Sequence, residues 1–241
     1  MPTFTHGSTT IYYEEHGRGY PILLIAPGGF QSMVSSWQRA AINPLESLVD
    51  DFRLIAMDQR NAGGSVGPLP LDDPWRELCG DQLALMDHLE IERFHSFGCC
   101  IGGPYGLMLS HLAPSRVSAS VLEQPMGINE ENQAGWLERS HTWARELCTK
   151  RDDLSAEDGA TFIERMWSRD FAVAVTPDEI REISVPTCVL PGIDAIHPTK
   201  IGREIADLLP NATVIEPWKD TPEHAASATI AVRDFLLRHT L

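Results

Sequence analysis

The segment from Phe94 to Leu112 constrains this chain most. A short run, Phe94-His95-Ser96-Phe97, enters Gly98-Cys99-Cys100-Ile101-Gly102, and after Gly103 the residues Tyr105, Leu107, Met108, His111 and Leu112 follow at helical spacing. That order reads as strand, tight turn, helix. Gly-x-Cys-x-Gly in such a context is a turn so sharp that its central residue takes a strained backbone, with glycine on either side where a side chain would clash. Cys100 is thereby set at the top of a sheet and at the N-terminus of a helix. The helix dipole and the free N–H groups there predict a lowered thiol pKa and thiolate character.

The flanking sequence repeats the alternation of strand and helix, which predicts a mostly parallel sheet covered by helices. Thr10–Glu14 alternates as an edge strand, and Ile22–Ala26 is an apolar run that stops at Pro27-Gly28-Gly29, as a buried parallel strand does. Further strands are expected at Arg53–Asp58, Val117–Leu122, Pro186–Gly192 and Ala212–Glu216, with helices at Trp75–Leu89 and Ile230–Arg238. His95 alternates along a buried strand and reads as a core histidine. Between Leu122 and Thr187 lie roughly sixty residues of helical periodicity, carrying Trp136, Trp143, Phe162 and Trp167, and an insertion of that size over the strand ends predicts a lid. The expectation is one α/β domain over residues 1–241, with 126–180 as a helical cap inserted after the sixth strand.

Charge narrows the partners. The chain has 34 Asp and Glu against 19 Lys and Arg, a formal net charge of −15, and no basic run, so a phosphate backbone would be repelled and no nucleic-acid partner is expected. No apolar stretch approaches the ~20 residues that span a bilayer, and Met1 to His6 lacks the order of a signal peptide, so a cytoplasmic protein without membrane association is expected. The five cysteines, at 79, 99, 100, 148 and 188, show neither C-x-x-C nor zinc spacing. Reduced thiols, no metal and no cofactor are expected. The oligomeric state is left open, a homodimer included.

Gly98-Cys99-Cys100-Ile101-Gly102-Gly103 resembles the nucleophile turn of the α/β-hydrolase superfamily in a cysteine form, similar to that of dienelactone hydrolases. The resemblance extends over nearly the whole chain. Pro27-Gly28-Gly29-Phe30 stands where the superfamily has its His-Gly oxyanion loop, Asp58 to Ser65 resembles its Asp-x-Arg-Gly-x-Gly-x-Ser segment, and Gly192-Ile193-Asp194 resembles its acid-bearing turn with one residue fewer. Dienelactone hydrolases proper lack a cap, so their nucleophile chemistry is carried over and their substrate is not.

The resemblance implies an α/β-hydrolase fold and a catalytic triad in the order Cys100, Asp194, His224. It also implies an oxyanion hole built from the N–H of Ile101 and that of Gly29 or Phe30. The superfamily's Gly-His after the last strand is missing, and Glu216-Pro217-Trp218-Lys219-Asp220 occupies its place. His224 has the right order along the chain, His197 in the acid loop is its rival as base, and Glu123 at a strand end is the alternative acid.

Together these residues imply a cysteine-dependent hydrolase of a small activated ester, lactone or thioester. The acyl-cysteine it forms must be cleared by water that a histidine activates. The aromatic cap implies an apolar or aromatic small-molecule substrate. Two other readings stay open: an acyltransferase using the same acyl-cysteine, and a catalytically silent ligand-binding protein of the same fold.

Overall fold

The computed structural model describes residues 2–240 and holds an eight-stranded sheet. Its strands are β1 (Thr3–His6), β2 (Thr9–Gly17), β3 (Tyr20–Ile25), β4 (Phe52–Met57), β5 (Phe94–Cys99), β6 (Val117–Glu123), β7 (Thr187–Leu190) and β8 (Ala212–Val214), in spatial order β1-β2-β4-β3-β5-β6-β7-β8. β2 is antiparallel to both its neighbours and every later pairing is parallel. The parallel strands are apolar nearly throughout because helices cover both faces of the sheet. Every residue of β5 and β6 is buried.

The helices are α1 (Pro44–Ser47), α2 (Pro74–His88), α3 (Gly102–Leu112), α4 (Gln133–Lys150), α5 (Ala156–Met166), α6 (Pro177–Glu182), α7 (Thr199–Leu208) and α8 (Pro222–Arg238). α4 to α6 make up the insertion between β6 and β7. Capping boxes open two of them: Ser155 with Asp158 begins α5, and Thr176 with Glu179 begins α6. The insertion is tied to the body where Trp75 of α2 donates its indole N–H to the Met166 carbonyl at 2.9 Å.

Three elements differ from the sequence expectation. β1 is additional: its four residues are mostly exposed, so no buried face marks it, and its pairing with β2 holds it in place. α7 was also not expected, although Ile201, Ile205 and Ala206 form its buried stripe. α8 begins at Pro222 rather than near Ile230, because Thr221 caps it by accepting the His224 backbone N–H and Pro222 fits the first helical position.

Candidate active site

Register brings the site together at the C-terminal ends of the parallel strands. Ile25 lies beside Gly98 and Cys99 beside Glu123, so the loop after β3 and the ends of β5 and β6 converge. Cys100 follows β5 directly with a φ of 57°, in the left-handed region that costs a non-glycine residue energy. The turn is over-determined. The Cys100 N–H donates to the Glu123 carbonyl at 3.0 Å, while its own carbonyl accepts from Gly103 at 3.0 Å and Met126 at 2.8 Å. A Cβ on Gly98 would strike the Gly102 carbonyl, and one on Gly102 would strike the Ile25 carbonyl, so the strand-to-helix reversal closes only with glycine at both positions.

The Cys100 side chain stands on the wall of a cavity of about 410 Å³. Phe30 from the loop after β3, Trp136 and Trp143 from α4, and Trp167 beyond α5 line it as well. These rings pack on one another: Phe30 stacks on Trp143 with centroids 4.7 Å apart, and Trp136 stacks on Trp167 at 6.2 Å. The Trp167 indole N–H donates to Ser140 Oγ at 3.1 Å, which fixes the ring against α4. Residues 136, 139, 140 and 143 share one helical face, and that face is turned to the cavity.

The thiol is less acidic than its place in sequence predicts. Burial pushes Cys100 up to about 11, outweighing the backbone N–H groups of Gly28, Ile101 and Gly29, which pull the other way. Only Ile101 among these stands at the N-terminus of α3, and the lowering expected there is overcome by desolvation. Cys100 rests as a thiol at neutral pH, so any attack by it requires a partner that removes the proton. The residues expected to supply the oxyanion hole, Gly29, Phe30 and Ile101, all line the cavity, as does Gly28. Phe30 contributes its ring to the cavity wall.

Asp194 and His197 are joined within the loop after β7. Asp194 Oδ1 accepts the backbone N–H groups of Ile196 at 2.9 Å and His197 at 2.8 Å, and meets His197 Nδ1 at 3.1 Å. Thr199 Oγ1 donates to the Gly192 carbonyl at 2.7 Å and closes this loop. His197 lines the same cavity as Cys100, and its Nε2 is buried without a protein partner among the described residues. Burial lowers the His197 pKa, Asp194 opposes this, and Lys219 adds to it, so the ring is neutral at pH 7. Burial works to raise the Asp194 pKa, but the His197 backbone N–H, the His197 ring and Lys219 together hold it below the ordinary value.

The other expected groups lie elsewhere. His224 sits in the first turn of α8, partly exposed, with Nδ1 3.9 Å from Asp220 Oδ2, and does not line the cavity. Glu123 is buried behind the turn, where it accepts the Ile42 N–H at 3.2 Å; it too is absent from the cavity wall. Asp58 is structural, its two oxygens accepting from Val34 at 2.7 Å and Gly64 at 2.8 Å and so bracing the loop after β3. All five cysteines are free thiols.

Sequence reasoning missed Lys219, whose ammonium bonds Gln124 Oε1, lies 3.5 Å from Asp194 Oδ2 and packs 5.1 Å from the Trp218 ring centroid. It also missed Gln124, Arg39 and Arg139 on the cavity wall. No motif surrounds any of these four. Among the described residues no cluster of three His, Cys, Asp or Glu side chains could hold a metal ion, and no helix is long and apolar enough to cross a membrane.

Comparison with known proteins agrees with this architecture. The "Putative carbamate hydrolase RutD" of Pseudomonas syringae pv. syringae is 25% identical over 201 residues, covering 71% of this chain and 76% of that protein. Against several other proteins of that name, the chain spans under half of their length. Among solved structures, the enol-lactonase from Burkholderia xenovorans LB400 superposes with a TM-score of 0.72 at 23% identity, covering 98% of this chain and 100% of that one. Est816, described as an N-acyl homoserine lactone degrading enzyme, gives 0.67 at 20% identity and covers 100% of both chains. The model of the alpha/beta hydrolase fold family matches residues 21–171, and with the sheet order, the turn after β5 and the inserted helices it makes this chain a member of that family.

Proposed function

We propose that this protein is a cysteine-dependent hydrolase of small activated esters or lactones, working through an acyl-cysteine. The observation that carries the reading is the meeting of three features at one cavity. These are Cys100 on its strained turn, the backbone of Gly28, Gly29 and Ile101 on the same cavity wall, and the Asp194–His197 pair with Nε2 unpartnered among the described residues.

His197 Nε2 takes the Cys100 thiol proton and the sulfur bonds to the substrate carbonyl carbon. Asp194 holds Nδ1 and stabilises the imidazolium that forms. The oxyanion is met by the Ile101 N–H and those of the Gly28-Gly29 loop. When the tetrahedral adduct collapses, the C–O bond to the leaving oxygen breaks and His197 returns the proton to it. Water then attacks the thioester as His197 takes its proton, the C–S bond breaks, the imidazolium returns the proton to the sulfur, and the carboxylic acid is released with the thiol restored. Because a thiolate is itself a good leaving group, plain alkyl esters and amides would revert from the adduct, whereas lactones and activated esters go forward. The aromatic wall supports an apolar or aromatic acyl group. The relatives named as carbamate hydrolase and enol-lactonase are in keeping with acyl chemistry at this site.

In this reading acid and base sit three residues apart in one loop, with His197 in the role that chain order suggested for His224. Hydrolysis of a para-nitrophenyl ester tests it: His197→Ala loses ~100-fold or more and Cys100→Ala loses all covalent turnover, while His224→Ala stays within about threefold of wild type. A full loss in His224→Ala with an active His197→Ala would overturn the assignment.

A further inference from the structure

The cavity wall carries two arginines and, among the described residues, no carboxylate. Arg39 comes from the 3-10 turn after β3, Arg139 from α4, and both line the same cavity as Cys100 and His197. Asp and Glu outnumber Lys and Arg by 34 to 19 in this chain, so a wall with two arginines and no acidic side chain is of opposite sign to the molecule around it. Among the described residues neither arginine makes an ion pair. Arg39 donates to Ser36 Oγ at 3.1 Å, and the Arg139 guanidinium lies 5.7 Å from the Trp136 ring centroid. Both residues are exposed, one from the sheet body and one from the inserted helices.

From this we infer that the substrate carries a carboxylate remote from the scissile carbonyl, held at the cavity mouth by Arg39 and Arg139. The inference rests on the proposed acyl chemistry and names its substrate class: a short acyl group with its carbonyl at Cys100, an apolar middle against Trp136 and Trp143, and an anionic end. Planar guanidinium groups take a carboxylate through paired N–H donors, and they favour it more as the aromatic wall excludes water. An exposed guanidinium contributes little by itself, and two converging on one anion bring the effect to about tenfold.

Two readouts test this. The first compares kcat/KM for the para-nitrophenyl monoester of glutarate with that of its uncharged counterpart, para-nitrophenyl pentanoate. Wild type should favour the anionic ester by about tenfold or more. In the double variant Arg39→Gln with Arg139→Gln the ratio should fall to about one, and about half-molar salt should compress it in wild type. The second is calorimetric binding of glutaranilate and pentananilide to Cys100→Ala, which needs no turnover. Hydrolysis of both esters at one rate, with equal binding of both anilides, would overturn the carboxylate site and leave the hydrolase reading standing. Tighter binding of glutaranilate with no ester hydrolysed would do the reverse.

Discussion

Replacing Glu123 by Gln should change how stability depends on pH, by an amount that follows from where the carboxyl lies. Glu123 ends β6 with no exposed surface, paired across the sheet with Cys99, and burial raises its pKa to about 7 against an ordinary 4.5. The Ile42 N–H and the more distant Lys219 oppose the shift without cancelling it. The folded protein therefore holds this proton more tightly than the unfolded chain. Stability from that preference is fully present below pH 4.5, falls as pH rises through 7, and is lost above it. A difference of roughly 2.5 units corresponds to about 3 kcal/mol. Glu123→Gln keeps an acceptor for Ile42 and has nothing to titrate. Urea unfolding of both proteins at several values between pH 4.5 and 8 should show the variant gaining about 3 kcal/mol on wild type across that range, whatever fixed offset the amide introduces. All other titrating groups are common to both and cancel. Curves that stay parallel to within about 0.5 kcal/mol would refute the buried, protonated carboxyl.

Other expectations follow from the same environments. His95 is buried between Tyr20 and Phe52, and burial lowers its pKa to about 4, so its contribution is lost as pH falls from 6.5 to 4. His95→Gln should remove up to about 3 kcal/mol of acid sensitivity in that window, measured by the same unfolding series. Lys219 adds positive charge beside both Asp194 and His197, so Lys219→Met should move the acid limb of the rate profile to higher pH while Lys219→Arg restores it. An unmoved limb would confine Lys219 to holding the loop.

Much of this was legible in the sequence because steric demand writes itself locally. Gly98 and Gly102 flank Cys100 for reasons of backbone collision, and the apolar runs of β3, β5 and β6 announce strands covered on both faces. Asp194 and His197 lie close enough in sequence for their pairing to be entertained. The placement of His197 and His224 was not legible, since it depends on how the loop after β7 folds over the strand ends and on α8 starting eight residues earlier than its apolar stripe suggested. The Cys100 thiol pKa is not legible in the sequence, because a helix N-terminus is visible there and the burial around a sulfur is not. Arg39 and Arg139, a hundred positions apart, line one cavity only because the inserted helix α4 lies over the loop after β3.

The most direct test of the account is intact-protein mass after brief mixing with an activated acyl ester, for wild type, Cys100→Ala, His197→Ala and His224→Ala. The account predicts a transient adduct of one acyl group on wild type and on His224→Ala, and none on Cys100→Ala. In His197→Ala acylation should be slow, and any adduct formed should persist. An adduct on Cys100→Ala at the wild-type rate, or one that clears from His197→Ala as fast as from wild type, would contradict it.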